Sequence, residues 1–169
     1  MMKRIEKIAL KFATEAHAEQ KRKYTGVPYI VHPIEVRQIL RDFGYTCPLM
    51  GSAALLHDVV EDTPVTIEEI YEEFGEIIGT YVAGLTDPVV EGNRRFRKDY
   101  CVQEIAKKSA MVQIIKCADL ISNTADITLH DKNFSVVYLK EKQKMLDVFR
   151  PEVKATAIYR KARENSYAE

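Results

Sequence analysis

Apolar residues recur along most of this chain at the spacing that places them on one face of an α-helix. In the first such segment Ile5, Ala9, Phe12 and Ala16 are separated by lysines and glutamates, a pattern that predicts an amphipathic helix. Runs that alternate apolar and polar residues, as a half-buried strand requires, are all short. The pattern therefore predicts an all-α fold of about eight to ten helices.

Local signals indicate where the predicted helices begin and end. Pro33 and Pro48 suit a first helical turn, where the missing N–H is not needed. Thr66 with Glu69 three residues later predicts a capping box at the start of a helix, and Gly75 suits a helix end. The helix from Pro48 is expected to continue through His57 and to stop before Pro64. Further helices are predicted over residues 95–108, 110–129, 136–149 and 152–166.

Composition narrows the class of protein. The 169 residues suffice for one domain over residues 1–169, and 25 basic residues balance 25 acidic ones. A net charge of zero disfavours nucleic-acid binding. The sequence has no run of the roughly 18 apolar residues that a membrane span needs and no signal-peptide pattern. We therefore expect a soluble, cytoplasmic protein with no membrane partner; homo-oligomerisation is neither predicted nor excluded.

Candidate chemistry begins with His57 and Asp58, which lie side by side in the apolar segment 53–60. Burying an ionised aspartate is costly unless it is paired or binds a cation. On a continuing helix Glu61 and Asp62 would lie near the same face, and three carboxylates there would repel one another without a cation. The alternative is a helix end with Asp58 exposed and His57 satisfied in the core.

Two further segments extend this set. Asp119 interrupts the apolar run around Cys117, Asn123 follows one helical turn later, and His32 precedes Pro33. His32, His57, Asp58 and Asp119 together form a mixed nitrogen and oxygen set that suits a first-row divalent ion with open positions. Such an ion polarises phosphoryl oxygens and lowers the pKa of bound water. Glu61 and Asp62 could orient or deprotonate that water.

The order of these residues resembles the HD superfamily of metal-dependent phosphohydrolases, and within it the alarmone hydrolase domain of the RelA/SpoT family. The matching stretches are Ala16-His-Ala-Glu-Gln-Lys-Arg-Lys23, Gly26-Val-Pro-Tyr-Ile-Val-His-Pro33, Leu55-Leu-His-Asp-Val-Val-Glu-Asp-Thr63 and Lys116-Cys-Ala-Asp-Leu-Ile-Ser-Asn123. The resemblance implies hydrolysis of guanosine 3′,5′-bis(diphosphate), or its pentaphosphate relative, to GDP or GTP and pyrophosphate, with manganese as the normal cofactor. The implied protein is a small, stand-alone hydrolase whose partner is its nucleotide substrate.

The resemblance also implies a role for each matching residue. The implied metal ligands are His32, His57, Asp58 and Asp119, the acidic pair that activates water is Glu61 and Asp62, and the nucleotide contacts are Arg22, Lys23 and Asn123.

Other residues bear on the substrate. Tyr138 could line the nucleotide pocket, although a core position is its commoner role. The basic cluster 94–98 is expected to steer a polyanionic substrate. The chain reads Leu120-Ile-Ser122 where the family often has Arg-Leu-His. This departure keeps open an HD phosphatase acting on another 2′-, 3′- or 5′-phosphorylated nucleotide. A non-catalytic nucleotide-binding module is a third interpretation.

Overall fold

Every regular element of the structure, a computed structural model that describes residues 2–167, is a helix; there are ten. They fall into two compact units, the first ending at Thr86 and the second beginning at Asp87. The all-α prediction is confirmed, and the single domain over 1–169 stays a prediction. None of the described helices is both long and apolar enough to cross a bilayer.

The first unit contains α1 (Arg4–Ala16), α2 (Val31–Asp42), α3 (Pro48–Leu56), α4 (Val59–Asp62) and α5 (Ile67–Leu85). The second contains α6 (Arg94–Lys107), α7 (Ala110–His130), α8 (Lys132–Asp147), α9 (Pro151–Lys154) and α10 (Ala157–Asn165).

Helix α3 is the centre of the first unit, where it packs against α1, α2 and α5. Its residues from Met50 to Leu56 are all buried. The helix can approach α1 closely because residue 51 is glycine; a Cβ there would collide with the Glu6 carboxylate. That carboxylate accepts a 2.7 Å hydrogen bond from Arg37 Nε of α2 in a buried ion pair. Glu6 and Arg37 therefore tie two helices together at the edge of α3.

The predicted helix boundaries are largely confirmed. Pro48 begins α3, and Thr66 forms the capping box with Glu69 at the start of α5. Gly75 has φ +79° and interrupts the helical backbone within α5, as a residue with no Cβ can. Helix α2 begins at Val31, two residues before the predicted Pro33.

The prediction of one helix continuing from Pro48 through His57 towards Pro64 is wrong. Helix α3 ends at Leu56, and α4 begins at Val59. The His57 ring nitrogen Nδ1 lies 2.9 Å from Ala54 O, so the imidazole forms a hydrogen bond with a backbone carbonyl in the last turn of α3. A side chain that bonds a nearby carbonyl offers the backbone an alternative to the helical ladder. His57 and Asp58 therefore form the joint between two helices.

The long helix α7 lies at the centre of the second unit and packs against α8, α9 and α10. Helix α8 begins at Lys132, earlier than the predicted residue 136, because the Asp131 side chain caps it. The predicted helix 152–166 is two helices, since Thr156 caps a separate α10. Lys142 of α8 is buried, and its Nζ donates to Thr124 Oγ1 of α7 over 2.7 Å.

Candidate metal centre

Three side chains of the first unit converge on one oxygen of Asp58. The Tyr29 hydroxyl donates to Asp58 Oδ2 over 2.6 Å. The Nε2 atoms of His57 and His32 lie 3.0 Å and 3.6 Å from the same oxygen. Both histidines are only 2% exposed. The structure therefore brings together three of the four predicted metal ligands, His32, His57 and Asp58.

The tautomer of His57 follows from its contact with the end of α3. Ala54 O can only accept, so Nδ1 carries the proton and, in a neutral ring, Nε2 presents its lone pair. That lone pair lies 3.0 Å from Asp58 Oδ2, which is also an electron-pair donor. Two such atoms repel each other unless a proton or cation lies beside them. The donor chemistry therefore fits a divalent ion, and the ligand atoms of the two histidines lie within 4.8 Å of each other.

A row of aromatic rings in edge-to-face and tilted contact holds these groups in place. The ring centroids of His32 and His57 lie 5.2 Å apart, and Tyr29 is 5.9 Å from His32 and 4.8 Å from His17. Tyr29 comes directly after a short hairpin in which Lys21 pairs with Pro28. The hairpin and the start of α2 therefore place Tyr29 and His32 next to the same oxygen of Asp58.

The acidic pair lies on the next helix, with both side chains exposed. Glu61 and Asp62 end α4, and Asp62 Oδ2 accepts a 2.9 Å hydrogen bond from Gln20 Nε2. The expected single helical face shared with His57 and Asp58 is absent, because the joint between α3 and α4 intervenes. The pair nevertheless follows Asp58 by one turn, with Asp62 N donating to Asp58 O over 2.9 Å.

The two predicted nucleotide contacts of the hairpin have different surroundings. The Arg22 guanidinium lies 5.9 Å from the centroid of the Tyr29 ring, so it stands beside the group that bonds Asp58. Lys23 is exposed, with its Nζ 4.8 Å from the Tyr24 ring centroid. Arg22 thus lies beside the ring of Tyr29, whereas Lys23 lies beside the ring of Tyr24 within the hairpin.

Asp119, the fourth predicted ligand, lies on α7 in the second unit and is 4% exposed. Lys116 Nζ lies 2.9 Å from its Oδ2, and Asn123 Nδ2 donates to its Oδ1 over 2.6 Å. Asn123, predicted to contact the nucleotide, therefore orients Asp119. Lys116 holds the other carboxylate oxygen, so the orientation of Asp119 is fixed by its own helix.

The remaining predicted substrate residues lie on α8 and α6. The Tyr138 hydroxyl is buried, and burial raises the pKa of this phenol above its ordinary value. In the basic cluster, Arg94 makes two 2.8 Å hydrogen bonds to Glu141, and Lys98 Nζ lies 3.0 Å from Asp87. These cations are already paired with acids, so a steering role for them stays a prediction.

Sequence reasoning missed three residues of these arrangements. Tyr29 lies inside the Gly26–Pro33 motif, three positions before His32, and that proximity was the available signal. Lys116 precedes Asp119 by one helical turn, a spacing that places two side chains on one face. Gln20 had no such signal, because its partner Asp62 is 42 residues away.

Comparison with known proteins places this geometry in a family. Residues 9–151 match the HD domain family. The chain is 51% identical over 78 residues to guanosine-3′,5′-bis(diphosphate) 3′-pyrophosphohydrolase of Aquifex aeolicus, a match that covers 46% of this chain and only 11% of the relative. It is 38% identical over 125 residues to the human enzyme of that name, MESH1, covering 70% of this chain and 67% of MESH1.

A solved structure shows the same fold. A metazoan orthologue of SpoT, described as hydrolysing ppGpp and playing a role in starvation responses, superposes with a TM-score of 0.88 at 27% identity. The match covers 99% of this chain and 96% of that one. Because the family match spans most of the sequence, the chain belongs to the HD domain family. Within that family, two of the relatives compared above carry the name guanosine-3′,5′-bis(diphosphate) 3′-pyrophosphohydrolase, and the solved structure is of a protein described as hydrolysing ppGpp.

Proposed function

We propose that this chain hydrolyses guanosine 3′,5′-bis(diphosphate) and its pentaphosphate relative at the 3′ position, releasing pyrophosphate and GDP or GTP. The observation that supports the proposal most directly is the convergence of Tyr29, His57 and His32 on Asp58 Oδ2. The names of the Aquifex and human relatives supply the substrate.

The proposed metal site has four ligands, His32, His57, Asp58 and Asp119. When bound, a divalent ion would polarise phosphoryl oxygens and make a nearby water more acidic. Asp119 suits the role because it is buried and its two oxygens are already oriented by Lys116 and Asn123. Manganese as the particular ion, and a cytoplasmic location, are expectations from the sequence that belong to the same proposal.

The protein groups have separate proposed tasks. Glu61 and Asp62, exposed one turn after Asp58, accept the proton of the attacking water and supply a proton to the ribose 3′ oxygen. In the overall reaction the water oxygen bonds to phosphorus and the bond from that phosphorus to the 3′ oxygen breaks. Arg22 offers a planar cation beside Tyr29 for a phosphate or a purine, and Lys23, Asn123 and Tyr138 are further proposed substrate contacts.

Incubation of metal-stripped protein with guanosine 3′,5′-bis(diphosphate), with and without Mn²⁺, tests the proposal by chromatography of the products. We expect GDP and pyrophosphate only when Mn²⁺ is present. Release of orthophosphate would instead indicate a phosphatase, the second interpretation left open by the Leu120-Ile-Ser122 segment. No turnover under either condition would contradict hydrolysis of this substrate. Guanosine 5′-diphosphate, which has a free 3′ hydroxyl and no 3′-diphosphate, is the control substrate.

A further inference from the structure

Two consecutive hydrogen bonds connect a buried histidine to the second member of the acidic pair. His17 Nδ1 lies 2.6 Å from Gln20 Oε1, and Gln20 Nε2 donates to Asp62 Oδ2 over 2.9 Å. His17 is 3% exposed, whereas Asp62 lies at the surface. Gln20 therefore links the interior of the first unit to a carboxylate that the proposed reaction uses.

The chemistry of the three groups determines which atom donates and which accepts in each hydrogen bond. An ionised carboxylate only accepts hydrogen bonds, so the Gln20 amide must turn its nitrogen towards Asp62 and its oxygen towards His17. The amide oxygen also only accepts, so His17 Nδ1 must carry a proton. His17 Nε2 is buried and has no hydrogen-bond partner within residues 2–167. A neutral ring protonated at Nδ1 avoids burying an unpaired N–H there.

The backbone of Gln20 is fixed on both sides. Its N–H donates to His17 O over 3.0 Å, and its carbonyl accepts from Tyr29 N over 3.0 Å. Only the side-chain torsions of Gln20 remain variable, and the two side-chain contacts restrict those. Gln20 thus presents its amide nitrogen to Asp62 from a rigid support.

The same histidine also supports the metal ligand Asp58. The His17 and Tyr29 ring centroids lie 4.8 Å apart, and the Tyr29 hydroxyl donates to Asp58. His17 is therefore connected to both carboxylates. It contacts Tyr29, which donates to Asp58, and Gln20, which donates to Asp62. Helix α4 has only four residues, and an exposed aspartate at its end would otherwise change rotamer freely.

From these contacts we propose that Gln20, oriented by His17, is a positioning residue that holds the Asp62 carboxylate in one orientation relative to Asp58. The proposal rests on the proposed function, in which Asp62 takes part in proton transfer. Reacting groups must be held within a fraction of an ångström, and a misplacement of about 1 Å can cost roughly a hundredfold in rate. Gln20 acts through Asp62 and does not touch the reacting atoms itself.

A comparison of Gln20→Met in the wild-type protein and in the Asp62→Asn variant tests whether Gln20 acts through Asp62. We expect Gln20→Met, which keeps the length of the side chain and removes its amide, to lower kcat roughly tenfold to a hundredfold, with KM and Mn²⁺ affinity unchanged. In the Asp62→Asn background the same change should lower kcat no further, because residues that act as a unit are not additive. An equal loss in both backgrounds, or no loss in the wild type, would overturn the proposal.

Gln38→Met is the matched control. Gln38 Nε2 also donates to an aspartate, Asp42 Oδ1, over 2.7 Å at an exposed position. Loss of this second Gln–Asp contact should leave kcat unchanged. A decrease equal to that of Gln20→Met would show that the effect is not specific to Asp62.

The ring-nitrogen shifts of His17, measured by ¹⁵N NMR, give a readout that does not depend on activity. We expect the Nδ1-protonated tautomer in the wild type and in Gln38→Met, and its loss in Gln20→Met. His17→Asn keeps an N–H donor near the position of Nδ1, so it should retain more kcat than His17→Leu. A wild-type ring protonated at Nε2, or equal losses in those two variants, would overturn the proposal.

These results also separate the two proposals. An inactive wild type would contradict the proposed function, and the His17 tautomer would still decide whether the chain of contacts through Gln20 exists. An active wild type whose kcat is insensitive to Gln20→Met would contradict the positioning role alone.

Discussion

The Tyr29 hydroxyl donates a 2.6 Å hydrogen bond to Asp58 Oδ2, although the two residues lie 29 positions apart in the sequence. This oxygen is also the one nearest the Nε2 atoms of His57 and His32. Tyr29 therefore orients the carboxylate that we propose as a metal ligand. Partners of this kind orient the ligands of many metal sites.

Tyr29→Phe should weaken Mn²⁺ binding about tenfold or more, the usual cost of removing a hydrogen bond to a metal ligand. The ring is retained, so its contacts with His17 and His32 should persist and the helical content should not change. Isothermal titration calorimetry measures the affinity. Tyr24→Phe is the control, because the Tyr24 hydroxyl lies 3.4 Å from Lys23 Nζ in the exposed hairpin. Equal affinities in both variants would contradict the role assigned to Tyr29.

Asp58→Ala should abolish Mn²⁺ binding and turnover together, because it removes the oxygen on which the two histidines converge. Calorimetry and the product assay measure the two effects on the same preparation. Asp42→Ala, at an exposed position of α2, should change neither. Retained Mn²⁺ affinity in Asp58→Ala would remove Asp58 from the ligand set.

Glu61→Gln should preserve Mn²⁺ affinity and lower kcat by about 10²–10⁴, the usual contribution of a positioned proton acceptor. The amide keeps the size of the side chain and loses its basicity. Steady-state kinetics at saturating Mn²⁺ measures the change, with the exposed Glu68→Gln as control. Full activity in Glu61→Gln would assign the proton transfer to Asp62 or to the metal alone.

Arg22→Ala should raise KM about tenfold, equivalent to losing roughly 1.4 kcal/mol of substrate binding, with kcat nearly unchanged. Arg22→Lys keeps the charge but removes the planar group that can stack or donate in pairs, so it should recover only part of the loss. Initial-rate kinetics on the three proteins measures the effect, with exposed Lys21→Ala as control. An unchanged KM would indicate that Arg22 has a structural role in the hairpin and does not bind the substrate.

Lys142 should make stability depend on pH, because burial lowers the pKa of its ammonium to about 7. The unfolded chain, with an ordinary lysine pKa near 10.4, binds more protons than the folded chain above pH 7. The penalty from burying Lys142 is therefore complete below pH 7 and disappears as pH rises towards the unfolded pKa. The contribution of Lys142 to the free energy of unfolding should increase by about 1 kcal/mol for each pH unit above pH 7.

Urea unfolding between pH 6.5 and about 8 measures this dependence. The increase should be absent in Lys142→Met and retained in Lys140→Met, which changes an exposed lysine of the same helix. The upper limit of pH 8 matters because an unfolded cysteine ionises near pH 8.5, whereas burial raises the pKa of the Cys101 thiol to about 11 and that of Cys117 to about 12. At higher pH these two thiols would lower stability and offset the contribution of Lys142. If the free energy of unfolding changed with pH in the same way in wild type and Lys142→Met, the prediction of a buried Lys142 with a lowered pKa would be wrong.

Much of the fold followed from local sequence signals. The capping box of Thr66 and Glu69, Pro48 at the first turn of α3 and the interruption at Gly75 all appear as predicted. Each depends on groups within a few residues of one another, so its energetics can be judged from the sequence. The sequence does not reveal the break after Leu56, because apolar residues continue on both sides of it, at 53–56 and 59–60. The competing contact of His57 Nδ1 with Ala54 O depends on which way the imidazole turns.

The sequence by itself determined the helical class, most helix boundaries and the kinds of side chain available for metal and phosphate chemistry. Only the tertiary structure decided which of those side chains meet, as Tyr29 meets Asp58 and Gln20 meets Asp62 across 29 and 42 residues. The physical reason is that helical periodicity is set by hydrogen bonds four residues apart. Contacts between distant segments depend instead on how α1, α2 and α3 pack, through features such as the space that Gly51 leaves for Glu6.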